Sequence, residues 1–82
     1  MAQTELIADG KRHGIAMTDY LLERIRDRRL TPAIVADVIG ANVHKHANEM
    51  LREGISREDV ATWVQKVRDV LQVRMVVALQ RA

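Results

Sequence analysis

Residues 60–79 decide the fold of this chain, and they read VATWVQKVRDVLQVRMVVAL. The first half of this stretch places apolar residues three and four positions apart, a spacing that is typical of an amphipathic helix. From Val73 onward, apolar residues cover almost every direction of such a helix. Because a helix that is apolar all round must be buried, we expect this end of the chain to contact a second protein chain.

The same segment also carries an alternating pattern that a strand would show. Residues 71, 73, 75, 77 and 79 are all apolar, and the positions between them include Gln72, Arg74 and Gln80. Such alternation in β-branched residues is a strand signal. We favour the helix, because Ser56 can start one and the rest of the chain contains no second strand with which to pair.

Size and composition favour a small protein that gains stability from association. Eighty-two residues form a single domain, and a chain this short buries only about 60–65% of its unfolded surface. It contains no cysteine, so disulfides cannot compensate, and oligomerisation is a usual alternative. A cysteine-free chain suits a reducing compartment, and no signal peptide pattern is present. We therefore expect a cytoplasmic protein, with no membrane partner.

Two helices are clearly delimited by their end signals. Thr31 precedes Pro32, which predicts a helix that starts there, and Gly54 predicts its end. Ser56 is an N-cap for the next helix, with Asp59 in the capping-box position, while Ile55 and Val60 form a hydrophobic staple. We predict helices over residues 32–53 and 57–80, which fold back on each other as a hairpin because the connection is short.

The N-terminal part is predicted to contain one further helix. Thr18 can cap a helix over residues 18–29, and the segment from Gly10 to Gly14 is expected to interrupt the chain. Residues 1–16 would then be an arm or a short helix. Gly10 and Gly14 have the spacing of a GxxxG motif, but the residues around them are not predominantly apolar. A membrane helix-packing motif is therefore not expected. The predicted fold is all-α: a three-helix domain over residues 1–82, built on the hairpin and completed as a helical bundle by homodimerisation.

No motif for catalysis or cofactor binding is visible. The chain has no phosphate-binding glycine loop and no paired catalytic carboxylates, and capping already explains Ser56. His44 and His46 point to different sides of a helix, while His46 and Glu49 with His13 would make only a partial metal site. We predict that the protein is not an enzyme and binds no metal or cofactor.

The expected dimer interface lies on the C-terminal helix. Arg74 falls within its apolar stripe, and buried arginine is rare unless it is paired. In a dimer it can pair with Asp69 or Glu58 of a second copy; the alternative is that its stem packs while its charged end reaches solvent. The predicted interface residues share this helix face: Val67, Leu71, Arg74, Val77 and Ala78.

Another protein is the second expected partner. Trp63 is the best single anchor for packing and, if it lies exposed, the natural hot spot for such a partner. The densest basic cluster supplies Arg24, Arg28 and Arg29. Absent catalytic motifs, surplus apolar surface and a net charge of only +2 indicate a small non-enzymatic protein-binding regulator, adaptor or inhibitor that acts as a homodimer.

A dimeric DNA-binding transcriptional regulator is the alternative. Ala36 and Gly40 have the spacing of a helix-turn-helix entry, and residues 43–54 resemble the recognition helix of winged-helix regulators. The turn after Gly40 is shorter than usual by about three residues, so the helix-turn-helix would be divergent, and we interpret Gly40 as a place where another helix approaches closely. Residues that would contact nucleic acid are Arg24, Arg28, Arg29, His44, Lys45 and Arg52.

Overall fold

A computed structural model describes residues 2–27 and 31–81, leaving out the side chains of residues 32, 79 and 81. Three helices follow one another: α1 (Gln3–Arg26), α2 (Pro32–Arg52) and α3 (Arg57–Arg81). None of the described residues lies in a strand. The all-α prediction is therefore confirmed, and the strand interpretation of residues 70–79 is wrong.

Helix α1 is much longer than the sequence suggested. It begins at Gln3, after Ala2, and continues through Gly10 and Gly14 without interruption. The predictions of a break at these glycines, and of a helix that starts at Thr18, are wrong. Thr18 is instead fully buried inside α1, where its hydroxyl donates to the Gly14 carbonyl oxygen at 2.6 Å.

The two glycines lie where α1 contacts α3. A Cβ atom added at Gly10 would stand 3.0 Å from the Trp63 carbonyl oxygen, and one at Gly14 would stand 2.9 Å from the Val70 Cβ. Glycine inside a helix costs about 1 kcal/mol relative to alanine, but here it lets two backbones approach closely. The glycine pair is therefore a packing contact between α1 and α3.

Helices α1 and α3 run parallel, and α2 runs antiparallel to both. Moving along α1, Gly10 lies beside Trp63 and Gly14 beside Val70. On the α2 side the order reverses, since His13 binds Asn42, while Met17 and Leu21 share a depression with Val38. Helix α3 makes its most extensive contact with α1. The α2–α3 hairpin is therefore present, but the parallel α1–α3 pair, which the sequence did not suggest, is the larger packing unit.

The predicted end signals of α2 and α3 are confirmed. The Thr31 hydroxyl accepts the Ile34 N–H at 3.3 Å, and the Ser56 hydroxyl accepts the Asp59 N–H at 3.1 Å. Gly54 has a φ of 91°, a conformation that glycine adopts without strain. The Ile55 N–H then reaches back to the Met50 carbonyl oxygen at 3.1 Å, which satisfies the end of α2 as in a Schellman motif.

The core is aliphatic apart from one indole ring. It contains residues from all three helices: Leu6, Met17, Leu21, Val35, Val43, Trp63, Val67 and Leu71. Gly40, on α2, lies outside it, since a Cβ there would meet nothing within 4 Å. The interpretation of Gly40 as a close-approach site is therefore wrong.

Substitution of Gly14 tests the α1–α3 contact, and Gly40 provides a matched control. We expect Gly14→Ala to lower the free energy of unfolding by about 1–3 kcal/mol, because the new methyl group forces packed helices apart. Gly40→Ala should raise it by about 0.5–1 kcal/mol, because alanine favours the helix and finds open space. Urea denaturation followed by circular dichroism measures both, and equal stabilisation by the two changes would contradict the contact.

Candidate functional site

A groove runs along the outer side of the α1–α3 pair. It consists of two neighbouring depressions of about 470 and 330 Å³ that share Val73 and Arg74. We call this feature the α1–α3 groove, and its apolar lining comes from both helices: Ile15, Leu22, Val70, Val73, Val77 and Ala78. Its position on the outer face leaves it accessible to another molecule.

Three valines at or beside the groove are exposed in this chain. Val73 is 63% exposed, Val76 47% and Val77 39%. The inward face of α3 repeats at spacings of three and four through Trp63, Val67 and Leu71, and Val73 and Val76 fall outside that series. The three valines thus form an apolar strip that α1 and α2 do not cover.

The charged residues that line the groove are mostly cationic. Lys11 and Arg26 come from α1, while Lys66, Arg74 and the single acid Asp69 come from α3. Asp69 already accepts a hydrogen bond from Gln65 Nε2 at 2.8 Å. The groove therefore combines an apolar lining with positive charge on both helices.

Arg74 is paired within its own chain. Its Nη2 donates to Asp19 Oδ1 on α1 at 2.5 Å, while its Nε is buried and finds no acceptor among the described residues. The expected partners, Asp69 or Glu58 of a second copy, are replaced by Asp19, which lies far away in the sequence but faces Arg74 once α1 and α3 run parallel.

The predicted dimer-interface residues separate into two groups. Val67 is 0% and Leu71 4% exposed within the single chain, so their prediction as intermolecular contacts is corrected: they belong to the core. Arg74, Val77 and Ala78 line the α1–α3 groove. The physical reason is the length of α1, which covers part of the apolar surface that the sequence assigned to a second chain.

Trp63 is a core residue and its prediction as a partner anchor is wrong. It is only 2% exposed, and its indole Nε1 donates to Asp9 Oδ2 at 2.8 Å. Asp9 belongs to α1, in the segment that is predicted to be an arm or a short helix. An indole N–H normally finds a partner when it is buried, so a distant acceptor was foreseeable, although its identity was not.

Each helix contributes one ring to a cluster around Trp63. His13 and His46 have ring centroids 4.6 Å apart, and the Trp63 ring lies 5.0 Å from His13 and 6.2 Å from His46. His13 Nε2 donates to Asn42 Oδ1 at 2.8 Å, and His46 Nδ1 lies 3.6 Å from a Glu49 carboxylate oxygen. Within residues 2–27 and 31–81, no three His, Asp or Glu side chains are arranged to hold a metal ion.

The candidate DNA-contacting residues do not form one surface. Arg28 and Arg29 lie outside the described residues. His44, Lys45 and Arg52 are exposed on α2, whereas Arg24 lies eleven residues, about 16 Å, along α1 from His13, which packs against His46. Residues 32–52 form one continuous helix, so the predicted helix-turn-helix is wrong.

Arg24 has a local partner on its own helix. Its guanidinium carbon lies 4.7 Å from the centre of the Tyr20 ring, which is cation–π geometry. The neighbouring Tyr20 side chain raises the pKa of Arg24 above its ordinary value. Arg24 is therefore a permanent cation beside an exposed aromatic ring, on a different side of α1 from the groove.

Comparisons with protein families, curated proteins and solved structures found no match to this chain. Among the residues that the structure describes, no helix is both long enough and apolar enough to cross a membrane.

The hydrogen bond between Trp63 and Asp9 can be tested by two substitutions at one position. We expect Asp9→Ala to lower the free energy of unfolding by about 1–3 kcal/mol, because a buried N–H loses its acceptor. Asp9→Asn retains a side-chain oxygen that can accept the bond, so it should lower the free energy of unfolding by clearly less. Urea denaturation followed by the fluorescence of this single tryptophan gives both values. An equal loss for the two variants would exclude the bond as the cause.

Proposed function

We propose that this chain is a small non-enzymatic protein-binding regulator, adaptor or inhibitor, and that it binds through the α1–α3 groove. The observation that carries the proposal is the exposed apolar strip of Val73, Val76 and Val77. Single exposed apolar residues are common on proteins, but a contiguous apolar patch with a polar border is typical of an interaction site.

The energetics of burial support a protein partner. Complete burial of one valine side chain is worth about 1.5–3 kcal/mol relative to full exposure. Val73 and Val77 are partly exposed beside the groove, so a partner that covers them and their neighbours removes apolar surface from several residues at once. The free energy of that burial is available for binding, because the chain does not use it for folding.

The alternative of a DNA-binding regulator receives less support from the geometry. Its motif required a turn near Gly40, where α2 is continuous. The cations that remain are divided between α2 and the far part of α1, and a dedicated DNA-binding surface normally clusters them on one face.

Affinity capture with a matched pair of variants tests the proposed surface. Val73→Glu places a charge in the groove, and we expect proteins that the unaltered chain captures from an extract of its source cells to be lost. Ala61→Glu adds the same charge at an exposed position of α3 that lies outside the groove lining, and it should retain them. Quantitative mass spectrometry compares the three samples, and identical profiles would contradict the proposed surface.

The homodimer stays a prediction, with a smaller expected interface. Since Val67 and Leu71 are buried within the chain, the apolar surface of α3 that remains for a second copy is the strip of Val73, Val76 and Val77. Val76 is the member of this strip that lines neither depression of the groove. We expect sedimentation equilibrium to show a concentration-dependent dimer that Val76→Glu converts to a monomer, while Ala61→Glu has no effect. A monomer over the whole micromolar range would show that the homodimer prediction is wrong.

A further inference from the structure

We propose that the α1–α3 groove binds an amphipathic helix of another protein, one whose apolar stripe is bordered by aspartate and glutamate. This inference rests on the proposed protein-binding function and names the chemical class of the partner. It follows from three features of the groove: its length, its apolar lining and the sign of its charges.

The length of the groove suits a helix of about four turns. Its lining extends along α1 from Lys11 to Arg26, which is about 22 Å at the helical rise. The groove lies between two neighbouring helices that run parallel, and side chains of a third helix can pack into such a space. Recognition by a helix in an apolar groove uses anchors spaced three and four residues apart, and Ile15, Leu22 and Val73 would receive them.

The charges of the groove select for an acidic partner. Four of its lining residues are cations, Lys11, Arg26, Lys66 and Arg74, against the one acid Asp69. Even with Arg74 balanced by Asp19, the lining keeps a positive excess. Exposed charge pairs contribute little affinity each, but complementary charges steer association and reject the wrong partner. The valines would therefore supply affinity, and the cations would supply selectivity.

The same features disfavour other occupants of the groove. A second copy that docked groove to groove would bring Lys66 and its fellow cations against like charges. Nucleic acid would place its phosphates against Val73 and Val77, which offer them no hydrogen bond.

A pair of designed peptides tests the inference on the full-length chain. The probe is a fluorescein-labelled 18-residue helical peptide with leucines at spacings of three and four and glutamates on both sides of that stripe. The control peptide replaces each glutamate with lysine. Fluorescence anisotropy at low salt should show saturable binding of the acidic peptide, with an affinity at least about tenfold higher than that of the basic peptide.

Charge reversal on the protein locates the binding site. We expect Lys66→Glu, in the groove, to weaken binding of the acidic peptide about threefold to tenfold, because the reversal removes an attraction and adds a repulsion. Lys45→Glu changes the net charge equally on exposed α2 and should leave binding nearly unchanged. Circular dichroism checks that the variants are folded, and Arg26→Glu, at the other end of the groove, replaces Lys66→Glu if that variant unfolds.

Several results would overturn the inference. These are equal binding of the two peptides, no binding of either peptide, or an equal loss of affinity for the acidic peptide in Lys45→Glu and in the groove variants. The inference is also overturned if the acidic peptide does not bind, whereas vesicles of anionic phospholipid or random duplex DNA do bind and Lys66→Glu abolishes that binding. If the peptides fail but Val73→Glu still removes captured proteins, the acidic class is wrong and the proposed function stands. If Val73→Glu removes nothing, the proposed function itself fails.

Discussion

The close approach of α1 to α3 at Gly10 and Gly14 is the constraint on which the rest of the structure depends. At both positions the neighbouring helix occupies the space of a side chain, so the contact needs an α1 that is continuous through both glycines. The order of the neighbours, Trp63 beside Gly10 and Val70 beside Gly14, makes α1 parallel to α3. This alignment brings Asp9 to the Trp63 indole and Asp19 to Arg74. It also buries Thr18, whose hydroxyl bonds within α1, and it places the α1–α3 groove on the outer side of the pair.

What could be predicted from the sequence is what depends on near neighbours. The ends of α2 and α3 follow from Thr31, Gly54 and Ser56, each of which bonds within a few residues. Gly10 and Gly14 could not be interpreted in the same way. A glycine that interrupts a helix and a glycine that packs against a neighbouring helix look the same in the local sequence. The deciding neighbours, Trp63 and Val70, are more than fifty residues away in the chain.

The candidate site shows the same division between local and distant information. The apolar surplus at the end of α3 was correctly located, since Val73, Val76 and Val77 are exposed. Its division between the core and the surface was not predictable, because it depends on how far α1 extends. A full-length α1 covers Val67 and leaves Val73 uncovered, so only part of the surplus is available to another chain. The cations of the groove were likewise dispersed in sequence, and only the parallel helices bring Lys11 and Lys66 to one feature.

This division also separates the apolar residues that stabilise the fold from those that we propose bind a partner. Val67 is completely buried, so the chain uses its apolar surface for its own stability. Val73 and Val76 contribute little to the core, because they lie outside the inward repeat of α3, and their apolar surface can be replaced at small cost to the fold. Arg74 belongs to both sets: its pairing with Asp19 links α3 to α1, and its charge lies in the groove. A guanidinium has five N–H donors, so one bond to Asp19 does not exhaust its capacity. The residue that links the two helices thus keeps N–H donors for the partner that we propose, while Asp19 balances its charge.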